Sequence, residues 1–268
     1  MKLVDIGANL THKSFEADFD RVVEDATAAG LVHIILTGTD LPTSKAALAL
    51  SENHPDLFSA TVGYHPHIAE SVSTAHMAAA TELAGQAQVV AIGETGLDFN
   101  RNYSPPDRQL AIFERHLELA VEVQKPVFLH QRDAHEAFHD LLRRYRPRLS
   151  GGVVHCFTDC EAALMDYIEL DMHIGITGWI CDERRGELLQ TLVSKIPADR
   201  LLIETDAPYL LPRSLQPKPR SRRNEPKYLL EVLNTVARHR LEDAPILAKQ
   251  TTENAMRLFG LNNKPVPD

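Results

Sequence analysis

Five apolar runs in this 268-residue chain end the same way, with a small or short residue followed by a side chain able to bind a cation or move a proton. Val89 to Ile92 leads through Gly93 to Glu94; "TVGYHPH" carries His65 and His67; "PVFLH" ends in His130, "GGVVH" in His155 and "LLIETD" in Asp206. Imidazole and carboxylate are ligands for Zn, Mn or Fe, and carboxylate with water suits Mg. A cation held by such a set acidifies water and polarises a substrate oxygen. Each residue also has a plainer explanation. A single histidine after a strand is commonly a packed residue, Glu94 could cap the turn that follows it, and Asp206 could cap "APYLL". Their shared position in the strand-to-loop pattern favours one metal site built from distant parts of the chain. His67, beyond Pro66, is either a supporting residue of that site or plain loop.

Such side chains converge only if the strands that carry them share one end. Eight apolar runs read as strands: Leu3–Ile6, His33–Leu36, Ser59–Val62, Val89–Ile92, Val127–Leu129, Gly152–Val154, Met172–Ile176 and Leu201–Ile203. They are continuous rather than alternating, as strands covered on both faces are. Between them lie helical stripes, such as Phe19, Val22, Val23 and Ala26 before Gly30, or Leu110, Phe113, Leu117 and Ala120 after a cap and first turn at Ser104-Pro105. Eightfold strand–helix alternation predicts parallel strands, and the count and length fit a single (β/α)8 TIM barrel over residues 1–268. A doubly wound open sheet is the alternative, but its glycine-rich phosphate loop after strand one is missing. Barrel enzymes gather their chemistry at the C-terminal strand ends, where these residues stand; His33 and His173, at strand starts, fall on the opposite face. His135 and His139 share a helix face without an H-E-x-x-H signature, and Cys156 is expected to face away from His155 as a buried small residue.

The totals narrow the class. Charged residues make up 24% and no apolar run reaches the roughly 20 residues of a membrane span, so no membrane association is expected. Three cysteines without a C-x-x-C pair suit a reducing, cytoplasmic setting. The net charge of −9 is unlike that of a nucleic-acid coat protein. Residues 213–227, however, carry six cations against Glu225 alone, a local excess of +5 that leaves −14 elsewhere. No G-x-S-x-G elbow or reactive cysteine pattern supports a nucleophilic side chain.

Taken together, "GYHPH", "VVAIGETGLDFNR", "PVFLHQRDAHE", "HCFT", "IGITGWICDERRG", "LLIETDAPYL" and "RRNEP" resemble the TatD family of metal-dependent deoxyribonucleases, barrels of the amidohydrolase, or metallo-dependent hydrolase, type. The likeness runs from "VDIGANL" to "TTENAMRLFG". It implies that Glu94, His130 and His155 ligate the metal, that Asp206 orients or deprotonates the attacking water, and that His65 lies near the scissile phosphate. Much of the family has an H-x-H pair after strand one; here Gly7 and Asn9 stand there, which removes two imidazoles from a second metal position. The branch that reads this way, which includes the family's founding member, is described as magnesium-dependent and as cleaving single-stranded DNA and RNA from the 3′ end.

The expected activity is therefore phosphodiester hydrolysis with Mg2+, or Mn2+ or Zn2+, as cofactor and a single strand as substrate, without an obligate protein partner. Arg222 and Arg223 are expected to grip phosphate, with Arg132 and Arg101 in neighbouring loops; a solvated surface loop is the plainer account of the basic run. Trp179, Tyr64 and Phe99 are candidates to stack bases, Trp179 foremost. A small-molecule amidohydrolase or phosphoesterase would keep the barrel, yet no lysine ends a strand. A non-catalytic nucleic-acid-binding barrel would have no use for Glu94, His130, His155 and Asp206 together.

Overall fold

Eight runs rich in Val, Ile, Leu and Ala form strands because each is covered on both faces, and all but a few of their side chains are buried. They are β1 (Leu3–Ala8), β2 (Leu31–Leu36), β3 (Phe58–Val62), β4 (Val89–Asp98), β5 (Val127–Arg132), β6 (Gly152–Val154), β7 (His173–Ile176) and β8 (Leu201–Ile203). The structure, a computed structural model, is described for residues 1–261; residues 262–268, part of the expected barrel domain, lie outside the described residues. Every neighbouring pair is parallel, and the spatial order follows the sequence from β1 to β8. A doubly wound sheet would reverse its strand order at a switch point, so the open-sheet alternative is excluded.

The ring is drawn shut between β1 and β8 by backbone bonds just past the strand ends. Asp206 N donates to Gly7 O at 2.8 Å and Asn9 N to Ala207 O at 2.7 Å. Below them, the buried Asp5 carboxylate accepts from Thr205 N at 2.9 Å and Thr205 Oγ1 at 2.5 Å. Burial pushes that carboxyl up to about 7 against the pull of these bonds.

Helices α1 (Phe19–Ala28), α2 (Leu41–Asn53), α3 (Thr74–Ala84), α4 (Pro106–Val123), α5 (His135–Tyr145), α6 (Glu161–Glu169), α7 (Glu187–Leu192) and α8 (Leu229–Arg240) connect or follow the strands. A final helix, α9 (Ala244–Leu258), lies over the starts of β1 and β8, where Asn254 Nδ2 donates to Leu201 O and Thr252 Oγ1 to Lys2 O. Its Ala255, with Phe259 just beyond it, joins Val4, Ile6, Ile35, Phe128, Val153 and Leu202 in one buried cluster, which fills the ring from below. The opposite mouth is left to polar residues.

Two strands differ from expectation. β4 continues six residues beyond Ile92 and β5 three beyond Leu129, so Glu94 and His130 sit within strands rather than after them. Gly93 and Gly96, which look like strand breakers, are what permits the extension. At φ +146° and +143°, a Cβ would lie 2.1 Å from Phe128 O and 1.9 Å from His130 O, so only glycine lets β4 press this closely on β5. Ser104 is not the cap of α4, whose N-cap is Pro105; its hydroxyl instead donates to His67 O at 3.0 Å and accepts from Glu70 N at 3.0 Å.

Candidate metal centre

The extended β4 carries Glu94 into the mouth, where it is 5% exposed. Its Oε1 is met by three imidazoles from three other strand ends: His155 Nε2 at 2.9 Å, His130 Nδ1 at 3.0 Å and His65 Nε2 at 3.3 Å. His65, Glu94 and His130 each offer a ligand atom within 4.8 Å of the others, and His155 is tied to them through the same carboxylate oxygen. Backbone bonds fix the donors: Glu94 N to Gly38 O, His65 N to Thr39 O and His155 N to Leu129 O, at 2.8 to 2.9 Å. The His155 ring is stacked on Phe128, with centroids 4.5 Å apart.

Burial by itself would raise the Glu94 pKa, but the surrounding imidazoles, His155 and His65 foremost, hold it well below the usual carboxylate range. For the same reason His155 is raised well above an ordinary histidine, since Glu94 and Glu204 outweigh its desolvation. His130 is raised too, by Asp98 and Glu94 against burial, whereas desolvation prevails at His65 and lowers it. The donors thus suit a divalent cation, which would neutralise the buried carboxylate in place of the imidazoles.

Asp206 faces the same cavity. Its pKa is pushed up to about 8, chiefly by burial and by the nearby Glu94 and Glu204 charges, with His155 opposing. Asn9 Nδ2 donates to Asp206 Oδ1 at 3.0 Å. His67 Nε2 pairs with Asp98 Oδ2 at 2.7 Å, and Asp98 also accepts from Asn100 N and Arg101 N through Oδ1.

The cavity above these groups measures about 810 Å3. Its rim holds Arg101, Arg132, Arg185, Trp179 and Tyr209, with Arg185 placed 4.7 Å over the Trp179 ring. Arg132 and Trp179 therefore stand where the sequence reading put them. Arg222 and Arg223 do not line the cavity. Arg223 is bound to Ser14 O, to both Asp18 oxygens (2.8 and 2.7 Å) and to Glu225 Oε1 (2.8 Å). Its neighbour Asn224 donates to Thr205 O at 2.9 Å, so "RRNEP" fastens the basic loop to the barrel instead of presenting it to phosphate. Arg222 is exposed on that loop. Tyr64 is buried with its hydroxyl on His76 O, and Phe99 packs against the core, so neither reaches the mouth.

Cys156 departs from expectation as well. Its φ of +48° is not extended backbone, and the residue lines the cavity beside His155. Burial and the surrounding carboxylates hold its thiol pKa well above normal, so it is no nucleophile. Sequence reasoning passed over Glu204, Asn9 as a partner of Asp206, Arg185 and Tyr209. Glu204 was within reach, because it is a second carboxylate at the same strand end, one residue past β8 and two before Asp206.

The family described as TatD related DNase matches residues 4–260. The 3′-5′ ssDNA/RNA exonuclease TatD of Klebsiella pneumoniae (strain 342) is 50% identical over 260 residues, covering 97% of this chain and 98% of the relative. That of Edwardsiella piscicida is 51% identical over 259 residues, 97% of this chain and all of the relative. Among solved structures, YJJV, a TatD homolog from Escherichia coli K12, superposes with a TM-score of 0.87 at 29% identity over 96% of this chain and 98% of that one. A hydrolase TatD family protein from Entamoeba histolytica gives 0.87 at 25% identity over 97% and 98%.

Proposed function

Because the chain belongs to the TatD-related DNase family and is a hydrolase of nucleic-acid ester bonds, we propose that it removes nucleotides from the 3′ ends of single-stranded DNA and RNA with Mg2+ as cofactor. The observation that carries the metal reading is the convergence of His65, His130 and His155 on one oxygen of Glu94, with Asp206 in the same cavity. In this reading Glu94, His130 and His155 hold the cation, and His65 stands beside them facing the substrate. The cation supplies polarisation of a phosphoryl oxygen and acidifies the attacking water.

The protein's own groups do the rest. Asp206, oriented by Asn9, is ionised once a cation offsets the Glu94 and Glu204 charges beside it. It would take a proton from that water as it attacks phosphorus, and the departing 3′-oxygen would take one from solvent. Arg132, Arg101 and Arg185 line the mouth and neutralise backbone phosphates, a task the sequence reading gave to Arg222 and Arg223 with Arg132 and Arg101 beside them. Trp179 and Tyr209, the latter 53% exposed, offer rings to unpaired bases. A stacked duplex offers no such free faces, which supports a preference for single strands. The described residues, 1–261, act as one domain, and three free cysteines accord with a cytoplasmic setting.

The test is a digestion ladder of 3′- and 5′-labelled single strands and duplexes across Mg2+, Mn2+ and Zn2+, with an EDTA control. Stepwise shortening of the 5′-labelled strand, abolished by EDTA, is expected. Internal cuts, or activity that survives EDTA, would overturn the reading.

A further inference from the structure

We infer that Glu204 is a positioning residue for His155, holding the proton of that imidazole on Nδ1 so that Nε2 is presented to the cation. Two buried atoms without another hydrogen-bond partner among the described residues, His155 Nδ1 and Glu204 Oε2, face each other as an ion pair 3.4 Å apart. The residues are 4% and 0% exposed, and buried polar atoms in folded proteins are as a rule partnered. The other oxygen of the same carboxylate accepts from Cys156 N at 2.6 Å. One side chain therefore faces the His155 ring and grips the backbone immediately after it.

The surrounding chain makes room for this carboxylate and for nothing more. A Cβ on Gly7 of β1 would lie 2.7 Å from Glu204 Oε2, and one on Gly175 of β7 would lie 2.6 Å from Oε1. Two glycines on flanking strands thus form a slot, and an acid reaches the ligand through it from behind. An imidazole that donates Nδ1–H to a carboxylate keeps its Nε2 lone pair for metal, and losing such a partner typically weakens metal binding 10- to 100-fold.

This inference rests on His155 being a ligand, so the experiment separates the two. Nitrogen-15 NMR of the full-length, histidine-labelled protein, without metal at a pH where His155 is neutral and again with Mg2+, reports its tautomer; the Nδ1–H form is expected. Glu204→Gln keeps the volume and the acceptor for Cys156 N, but its amide donates to Nδ1 and shifts the proton to Nε2. Mn2+ affinity by calorimetry should then fall about 10- to 100-fold, whereas a merely structural role would leave both readouts unmoved. An Nε2–H tautomer in the wild type, or Glu204→Gln affinity within twofold of it, overturns the inference. His155→Ala is the control. If it loses Mn2+ binding while Glu204→Gln does not, Glu204 alone is wrongly assigned; if it binds normally, the ligand assignment and this inference fall together. Should Glu204→Gln not fold, the wild-type tautomer decides.

Discussion

Asn9 Nδ2 donates to Asp206 Oδ1 at 3.0 Å, joining the end of the first strand to the end of the last inside the cavity. The contact gives Asn9 a task other than metal binding. A fixed carboxylate aims its lone pair, and a free one samples other rotamers. Asn9→Ala is expected to lower kcat about 10-fold, close to 1.4 kcal/mol, with KM and the thermal midpoint little changed. Steady-state kinetics on a labelled single strand checks this; a kcat within twofold of wild type would remove Asn9 from the mechanism.

Glu94 is the oxygen around which the imidazoles gather, so Glu94→Gln should abolish cleavage and any rise of the thermal midpoint on adding Mg2+. Affinity should also depend on pH. His130 and His155 are raised by their carboxylate neighbours, and both must shed protons to bind a cation. Binding therefore tightens as pH rises and releases protons, which calorimetry at pH 6.5 and 8 in buffers of different ionisation enthalpy measures. Affinity that does not change with pH would contradict the ligand assignment.

The rim and the basic loop make opposite predictions. Arg132→Ala and Arg185→Ala should each reduce the slope of log affinity against log salt by about 0.7, the value for one phosphate contact on a single strand. Arg223→Ala should leave that slope alone and destabilise the fold by about 1–3 kcal/mol, because it removes the bonds to Ser14 O, Asp18 and Glu225 and leaves those two carboxylates to Arg21 and Lys227 alone. Filter binding across a salt series and urea unfolding distinguish the two; a flattened slope for Arg223→Ala would restore the phosphate-gripping role.

His116 supplies an acid-sensitive element that does not line the cavity. Fully buried, it accepts from Tyr64 N at 3.1 Å and bonds Ile112 O at 2.7 Å, and desolvation lowers its pKa to about 4. Its folded value is below its unfolded one, so this stabilisation is complete above pH 6.5 and is lost as pH falls toward 4. Between pH 7.5 and 5 the loss is roughly 2 kcal/mol. His116→Gln keeps both bonding roles without titrating, and should reduce the acid-induced loss by about that amount in urea unfolding. An unchanged pH dependence would show that His116 does not govern it.

The strands were legible because continuous apolar runs bounded by turn residues have few other uses, and the C-terminal strand ends then located Glu94, His130, His155 and Asp206. What escaped was set by tertiary contacts. Gly93 and Gly96 look like terminators until β5 is seen lying against them. Arg223 looks like a free cation until Asp18, 205 positions earlier, is seen holding it. Cys156 was read as extended because nothing in its neighbours announces a left-handed backbone. In each case the deciding partner is remote in the chain, where periodicity and local propensity carry no information.

The β1–β8 junction has a consequence for when the enzyme comes into being. Asn9 and Asp206 stand 197 positions apart, so a nascent polypeptide carries one half of the proton-handling pair long before the ribosome has made the other. A chain clipped in between, or released before position 206, holds at most part of the machinery, however many helices it retains. On the proposed mechanism, nuclease competence thus arrives late, as the ring closes.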